Sequence, residues 1–264
     1  MGFNQGGDPY DLFRGTADYY AAYRRPYPPP VVDYVARVLG LDGRGRLLDG
    51  GCGPGQAFSV FAPYFEAMFA FDRDPEMVER ARKTVHDARL AHVTVAQMRA
   101  EDLTTAVGPF RAAIFACSFH WMDRERVGET VYDLLEPRGG IAVIAPGMHG
   151  GALGAAIDET VREMLGPARR AGSGLYVEGE RHEDALQRTR FGRPTTQKIV
   201  VNETWTEDQL IGWLYSTSFA NKTLLGPRAD TFETRMRERL RALEPRGVFS
   251  LDIQYEVIWA LRAT

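Results

Sequence analysis

A glycine-rich segment between a predicted strand and a predicted helix constrains this fold more than any other feature. Residues 49–55 read Asp-Gly-Gly-Cys-Gly-Pro-Gly. The apolar run at 46–49 predicts a strand before this segment, and the pattern at 58–61 predicts a short helix after it. Its alternating glycines permit a tight turn and bring the backbone closer to a ligand than a Cβ would allow. We therefore expect an α/β fold with a ligand site at the carboxyl end of this strand.

The first half of the chain continues to alternate predicted strands and helices. Further strands are predicted at 67–71, 92–97, 111–117 and 141–145. Between the first and second of these strands, Asp74-Pro75-Glu76 combines an N-cap acid with proline at the first helical position. Such alternation builds a mostly parallel sheet with helices on both faces. The expected fold is a Rossmann-like, doubly wound sheet of about seven strands, the last of them at 255–261.

In the second half of the chain, predicted strands and helices no longer alternate regularly. Residues 147–196 are interrupted by glycines and show helical patterns without a clear strand, and a strand is predicted again at 198–201. No stretch reads as a linker long enough to divide the chain. The predicted organisation is therefore one domain over 1–264. It comprises an N-terminal lid or helix at 1–45, a cofactor-binding core at 46–146, a helical cap at 147–196, and the C-terminal part of the sheet and its helices at 197–264.

Composition excludes several classes of protein. The net charge is −3 and no run of five like charges occurs, so the basic surface of a nucleic-acid-binding protein is not expected. The two cysteines form no C-x-x-C motif, which argues against a disulfide scaffold and against a zinc site; no metal is expected. The sequence has no run of 18 apolar residues and no basic leader followed by an apolar stretch, so we expect a cytoplasmic protein without membrane contact.

The glycine-rich segment has to be assigned to one of two cofactor classes. The dinucleotide fingerprint G-x-G-x-x-G needs a third glycine, but the two positions where it would fall hold Gln56 and Phe58. The acid at Asp49 would repel a pyrophosphate and attract an α-ammonium group. About 20 residues further on, Asp72 ends the second predicted strand, where a carboxylate accepts hydrogen bonds from a ribose diol. These features favour a cofactor with an amino-acid tail over a nicotinamide dinucleotide.

Together with its surroundings, the D-x-G-x-G-x-G segment resembles the cofactor loop of class I S-adenosylmethionine-dependent methyltransferases. Further stretches that resemble motifs of this family lie at 72–77, 100–103, 116–123 and 135–140. The leader at 17–28 resembles that of the small-molecule, type 11-like subfamily, with Arg25 in place of a proline. The resemblance implies S-adenosylmethionine as cofactor and S-adenosylhomocysteine as product. It also implies that the last strand of the sheet, at 255–261, is antiparallel. The cofactor-binding residues that it implies are Tyr20, Arg24, Asp49, Gly51, Cys52, Gly53, Gly55, Asp72, Arg73, Met77, Ala100, Glu101 and Cys117.

His120 is the candidate catalytic base. It follows the fourth predicted strand, where the resemblance places the methyl acceptor. An imidazole with a near-neutral pKa can take a proton from a hydroxyl or an ammonium group. The alternative is that His120 and Trp121 only pack this loop against the sheet. The candidate substrate contacts are Tyr23, His120, Trp121, His149 and Trp213.

The resemblance implies transfer of a methyl group to an oxygen or nitrogen atom, or to carbon, of a small specialised metabolite. One alternative is a protein of the same fold that holds S-adenosylmethionine without transferring its methyl group, and that catalyses a rearrangement or cyclisation or binds a ligand. Another is an NAD-dependent dehydrogenase, against which Asp49 and Gln56 argue. A methyltransferase of RNA is disfavoured by the charge. The sequence leaves the oligomeric state open.

Overall fold

Strands and helices alternate along the first half of the chain as the sequence pattern predicts. The computed structural model describes residues 11–147, 151–177 and 179–263. The strands in these ranges are β1 (Arg46–Gly50), β2 (Ala67–Asp72), β3 (Val93–Gln97), β4 (Phe110–Ala116), β5 (Leu135–Gly147), β6 (Arg170–Ala171), β7 (Gly174–Leu175), β8 (Thr195–Thr206) and β9 (Val248–Leu261). The α-helices are α1 (Ala17–Tyr23), α2 (Pro29–Val38), α3 (Gln56–Phe61), α4 (Pro75–Asp87), α5 (Arg124–Leu134), α6 (Gly151–Leu165), α7 (His182–Gln187), α8 (Glu207–Tyr215), α9 (Lys222–Leu225) and α10 (Ala229–Leu243).

Seven strands form one sheet in the order β3-β2-β1-β4-β5-β9-β8. The first five strands in this order, β3, β2, β1, β4 and β5, are parallel to one another. Strand β9 pairs antiparallel with both β5 and β8. The predicted fold class is confirmed, including the antiparallel last strand. The strand order reverses beside β1, which has β2 on one side and β4 on the other. Open α/β sheets bind ligands outside the carboxyl ends of the strands at such a point.

The middle portions of the central strands are apolar because helices cover both faces of the sheet. Leu47 and Leu48 on β1 point to opposite faces, and both are fully buried. Leu47 packs with α2 residues such as Val35, and Leu48 packs with α5 residues such as Val131. A third apolar cluster joins α6, α8 and α10 away from these two. None of the helices in the described ranges has both the length and the apolar character needed to cross a membrane.

Three features of the second half differ from the prediction. Within 147–196, where no clear strand is predicted, β6 and β7 form a small antiparallel hairpin. Strand β8 extends beyond the predicted 198–201, and β9 begins seven residues before the predicted 255. The two strands pair from Thr195–Trp259 to Thr206–Val248. Much of β8 is exposed or half-buried, so the backbone pairing with β9 defines it and no apolar run marks its ends.

The N-terminal helix α1 docks on α8 through a glycine. A Cβ added at Gly212 would lie 2.3 Å from ring atoms of Tyr23. We therefore expect Gly212→Ala to destabilise the protein by about 1–3 kcal/mol through overpacking, although alanine favours a helix more than glycine does. Thermal unfolding measures this effect. The matched control is Gly154→Ala on α6, where a Cβ meets nothing within 4 Å and the melting temperature should stay level or rise. A Gly212→Ala protein as stable as the control would contradict this packing.

Candidate active site

The loop after β1 turns through three glycines in the left-handed region. Gly51, Gly53 and Gly55 have φ values of +66°, +53° and +107°. At Gly51 an added Cβ would lie 2.6 Å from Ser118 Cβ, and at Gly55 it would lie 2.2 Å from the ring of Phe58. At Gly53 it would meet only the Tyr20 ring, at 3.9 Å. The outer two glycines thus permit close packing, while Gly53 leaves free space beside the backbone that a ligand can fill.

Asp49 lies at the end of β1 beneath this loop and is fully buried. Its Oδ2 accepts a hydrogen bond from the backbone N–H of Phe58 at 3.0 Å, at the start of α3. Its Oδ1 is buried and has no hydrogen-bond partner among the described residues. Burial raises the pKa of Asp49 from 3.8 to about 7, and the nearby Asp72 adds to the rise. A buried carboxylate oxygen without a partner is unfavourable, so this atom calls for a donor from a ligand.

Asp72 ends β2 and faces the same loop. One of its oxygens accepts from the backbone N–H of Gly53 and the other from that of Asp74, each at 2.9 Å. Each carboxylate oxygen accepts two hydrogen bonds, so one position on each remains for a ligand. Asp74 caps α4 by accepting from the N–H groups of Glu76 and Met77. Because Asp74 performs the capping, Asp72 remains available to a ligand, as the sequence predicts.

A first cavity of about 690 Å³, counting its open mouth, begins at these residues. Its lining consists of Leu12, Phe13, Tyr20, Gly51, Gly53, Phe71, Asp72, Arg73, Asp74, Met77, Met98, Ala100, Glu101, Cys117, Ser118, Trp121 and Met122. Nine of the residues predicted to bind the cofactor lie in this lining together with Trp121, which was predicted to contact substrate. Among the described residues, Asp49, Cys52 and Gly55 lie outside the lining and shape the loop from behind. Cys52 packs in the apolar core.

The sequence analysis predicted an N-terminal lid or helix at 1–45 but did not name the segment at 11–16, which covers this cavity with Leu12 and Phe13. The ring centroid of Phe13 lies 5.8 Å from that of Trp121 and 6.3 Å from that of Tyr20. The segment is held at Gly15, whose N–H donates to Glu76 Oε2 on α4 at 2.8 Å. It is held also at Asp11, which accepts from the N–H of Ser173 in the β6–β7 hairpin at 3.3 Å. The aromatic residues of the leader were the available signal, but the partners lie too far away in sequence to be recognised.

A second cavity of about 590 Å³, again counting its mouth, shares Tyr20 and Cys117 with the first. Its other lining residues are Arg24, Arg25, Tyr27, Gln56, Pro146, Trp205, Trp213, Ile253 and Tyr255. The predicted contacts Arg24 and Trp213 therefore lie here. Arg24 donates from Nε to Ser216 Oγ at 2.8 Å, and its guanidinium lies 4.9 Å from the Tyr20 ring centroid and 5.4 Å from that of Trp213.

Cys117 separates the two cavities. It follows β4 with a φ of +56°, a conformation that directs the chain away from the sheet, so the strand ends at Ala116 and does not reach the predicted 117. Burial raises the pKa of its thiol above the ordinary value. A neutral, buried thiol is a poor nucleophile. Cys117 therefore serves as part of the wall of both cavities.

The remaining acceptor candidates do not gather around one point. Neither His120 nor Tyr23 is among the described residues that line the two cavities. The ring of His120 lies 4.5 Å from that of Trp121 and 6.1 Å from that of His182. Burial lowers the pKa of His120 to about 3, with further lowering from His182, Arg124 and Arg169. Such an imidazole is a weak base near neutral pH. Tyr23 packs over Gly212, and His149 lies outside the described residues.

These residues fit S-adenosylmethionine better than a dinucleotide. The unpartnered Oδ1 of Asp49 offers an acceptor for an ammonium group, and Asp72 has positions left for a diol. The free space beside Gly53 lies in the first cavity, whose lining includes Asp72. A pyrophosphate would bring negative charge next to both acids.

Comparisons with known proteins agree with this site. Residues 47–139 match the family model of a methyltransferase domain. An uncharacterized protein of Rickettsia prowazekii is 26% identical over 161 residues, which are 53% of this chain and 61% of that protein. The probable S-adenosylmethionine-dependent methyltransferase CRG1 of Saccharomyces cerevisiae is 29% identical over 127 residues, which are 47% of this chain and 43% of that protein. The chain thus spans less than two thirds of these curated relatives.

Solved structures share the fold at low sequence identity. A protein assigned as a type II methyltransferase from Anaeromyxobacter dehalogenans has a TM-score of 0.63 at 22% identity, covering 92% of this chain and 99% of that one. The [4+2]-cyclase SpnF has a TM-score of 0.58 at 18% identity, covering 100% and 98%. Phosphoethanolamine N-methyltransferase 2 of Haemonchus contortus, solved with S-adenosylhomocysteine, has a TM-score of 0.57 at 18% identity, covering 98% and 61%. Residues 47–139 therefore match a methyltransferase domain, and the chain has the fold of the class I S-adenosylmethionine-dependent methyltransferases.

Proposed function

We propose that this protein transfers a methyl group from S-adenosylmethionine to an oxygen or nitrogen atom of a small molecule held in the second cavity. The observation that carries the proposal is the buried, unpartnered Oδ1 of Asp49 beneath the glycine loop that contributes Gly51 and Gly53 to the first cavity. When bound, the cofactor supplies an electrophilic methyl group on a sulfonium centre. The protein supplies approach and alignment of the acceptor, which are effective means of accelerating a displacement.

Different residues would contact different parts of the cofactor. Asp49 would accept from its ammonium group and Asp72 from its ribose, while Met77, Ala100 and Glu101 would enclose its adenine in the first cavity. Arg24 would pair with its carboxylate from the second cavity. Tyr20 lies at the junction, where an aromatic ring attracts a cationic centre. The segment at 11–16 closes the first cavity and would keep water from the bound cofactor.

The walls of the second cavity support a small acceptor. Most of its lining residues are aromatic or apolar, with a few polar groups among them, as in sites for single small molecules. It opens beside Cys117 and Pro146, at the ends of β4 and β5, next to the proposed cofactor site. Together with the net charge of −3, this favours a metabolite over a nucleic acid. We propose a cytoplasmic role in the biosynthesis of a specialised compound.

Calorimetry with three ligands tests the cofactor part of the proposal. We expect the protein to bind S-adenosylmethionine and S-adenosylhomocysteine and to bind NAD at least about 100-fold more weakly, because Asp49 and Asp72 repel a pyrophosphate. Binding of NAD alone, or of none of the three, would refute the proposal. Consumption of methyl-labelled cofactor in the presence of acceptors then separates methyl transfer from a protein that only holds the cofactor.

A further inference from the structure

A buried carboxylate lies behind one wall of the second cavity and fixes the proton of a tyrosine in that wall. Tyr255, on β9, lines the cavity, and its hydroxyl donates to Glu203 Oε1 at 2.9 Å. The Glu203 side chain, on the paired strand β8, is only 9% exposed. Register places Glu203 opposite Leu251 and Tyr255 opposite Ile199, so the hydrogen bond runs diagonally between the strands.

Two further donors hold the second oxygen of Glu203. Trp205 donates from Nε1 to Oε2 at 2.8 Å, and Arg25 forms an ion pair with Oε2 at 3.4 Å. Burial and the adjacent Glu203 raise the pKa of Tyr255 above its ordinary value, so its phenol stays protonated. A phenol has a single proton. With that proton given to Glu203, Tyr255 can offer the cavity only the lone pairs of its oxygen.

The charges around this cavity oppose a cationic acceptor. The guanidinium of Arg24 lies over Trp213, and that of Arg25 lies 4.7 Å from the Trp205 ring centroid. These indole rings, which in other sites attract an ammonium ligand, therefore already carry cations. No acidic side chain occurs among the described residues that line the cavity. The guanidinium of Arg24 also lies 4.9 Å from the Tyr20 ring centroid. The other two aromatic walls, Tyr27 and Tyr255, suit a flat, uncharged body.

We propose that the acceptor is an uncharged aromatic molecule with a hydroxyl or N–H group that donates a hydrogen bond to Tyr255 Oη. Tyr255 is then the specificity-determining residue of the second cavity, and Glu203 is its positioning residue. The inference rests on the proposed function, since it takes the second cavity as the acceptor site.

The test uses the whole chain saturated with S-adenosylhomocysteine and two probes of one ring system. 2-Naphthol donates a hydrogen bond, whereas 2-acetylnaphthalene only accepts one. We expect 2-naphthol to bind roughly tenfold more tightly, the effect of one hydrogen bond. Tyr255→Phe keeps the ring but removes the oxygen, and should reduce this preference to about twofold or less without changing S-adenosylhomocysteine affinity. Tyr64→Phe is the matched control, because that hydroxyl bonds Asp33 and lies outside both cavity linings.

A second variant separates recognition from mere packing. In Glu203→Gln, the donors Trp205 and Arg25 fix the amide oxygen at the Oε2 position, so the amide N–H₂ faces Tyr255. The phenol must then accept from the amide and turn its proton into the cavity, and the preference should shift toward 2-acetylnaphthalene. Equal binding of both probes to the unmodified protein, or binding of neither, overturns this inference and leaves the cofactor proposal intact. Failure of S-adenosylhomocysteine to bind overturns both.

Discussion

Replacing Asp49 by asparagine is expected to stabilise the ligand-free protein at pH 8. Asparagine keeps the acceptor for the N–H of Phe58 but carries no charge. The pKa of Asp49 is about 7 in the folded protein against an ordinary value of 3.8. Between these values the unfolded chain has released a proton that the folded protein retains, so stability falls as pH rises from about 4 to 7 and then levels off. A shift of about three units corresponds to at most about 4 kcal/mol.

The measurement is the unfolding free energy of both proteins from pH 5 to pH 8. The Asp49→Asn protein should gain about 2–4 kcal/mol relative to the unmodified protein over this interval. The control is Asp158→Asn on α6, where the aspartate is exposed and no gain is expected. Parallel curves for the unmodified and Asp49→Asn proteins would show that Asp49 does not titrate in this range.

The Asp49→Asn substitution should also weaken binding of the cofactor. An ammonium group would pair with the ionised carboxylate, so binding should release close to one proton at about pH 5.5 and about half a proton at about pH 7, and should tighten with rising pH. In Asp49→Asn both the release and the pH dependence should largely disappear, and at pH 8 affinity for S-adenosylhomocysteine should drop at least about 30-fold, as expected for loss of a hydrogen bond to a charged group. Calorimetry in buffers of different ionisation enthalpy counts the protons. Equal proton release in both proteins would contradict the role of Oδ1.

Replacing Asp72 by alanine should weaken binding of S-adenosylhomocysteine by at least about 100-fold, because two hydrogen bonds from a diol to a carboxylate are lost together. The substitution also removes the acceptor of the Gly53 and Asp74 N–H groups, so circular dichroism and melting must accompany the titration. Asp87→Ala at the end of α4, where the carboxylate is 54% exposed, is the matched control and should bind as the unmodified protein does.

A pair of ligands separates the diol contact from damage to the loop. The unmodified protein should prefer adenosine over 2′,3′-dideoxyadenosine by at least tenfold, by roughly 1.4 kcal/mol. In Asp72→Ala the two nucleosides should bind alike. If the preference survives the substitution, another group reads the ribose and the role given to Asp72 is wrong.

Sequence patterns within a few residues were sufficient to predict most strands and helices in the first half of the chain. Strands β1 to β4 are short, mostly apolar runs between turn residues, and Asp74-Pro75-Glu76 marks the start of α4, so their positions follow from residues close in sequence. Strand β5 contains the predicted 141–145 but begins earlier, at Leu135, which pairs with Phe110 of β4. The capping box at Thr206 and Gln209 likewise marks α8. The glycine-rich loop and Asp72 could be predicted as one site because parallel strands bring their carboxyl ends to the same edge.

The acceptor side could not be predicted in this way. Its cavity is assembled from α1, β5, β8, α8 and β9, which lie far apart in sequence. His120 follows the strand where a base is expected, yet its neighbours His182 and Arg124 come from the cap and from α5 and lower its pKa. Tyr255 and Glu203 are 52 residues apart and carry no shared motif.

The sequence by itself therefore determined the doubly wound sheet, the glycine loop and the pair of acids at its edge, because apolar periodicity, glycine conformation and helix capping act within a few residues. Only the tertiary structure decided which oxygen of Asp49 lacks a partner, which segment covers the first cavity and how the second is charged. Burial and hydrogen-bond partners depend on atoms brought together from distant parts of the chain, and they set the pKa of a carboxyl group or the direction of a phenol proton.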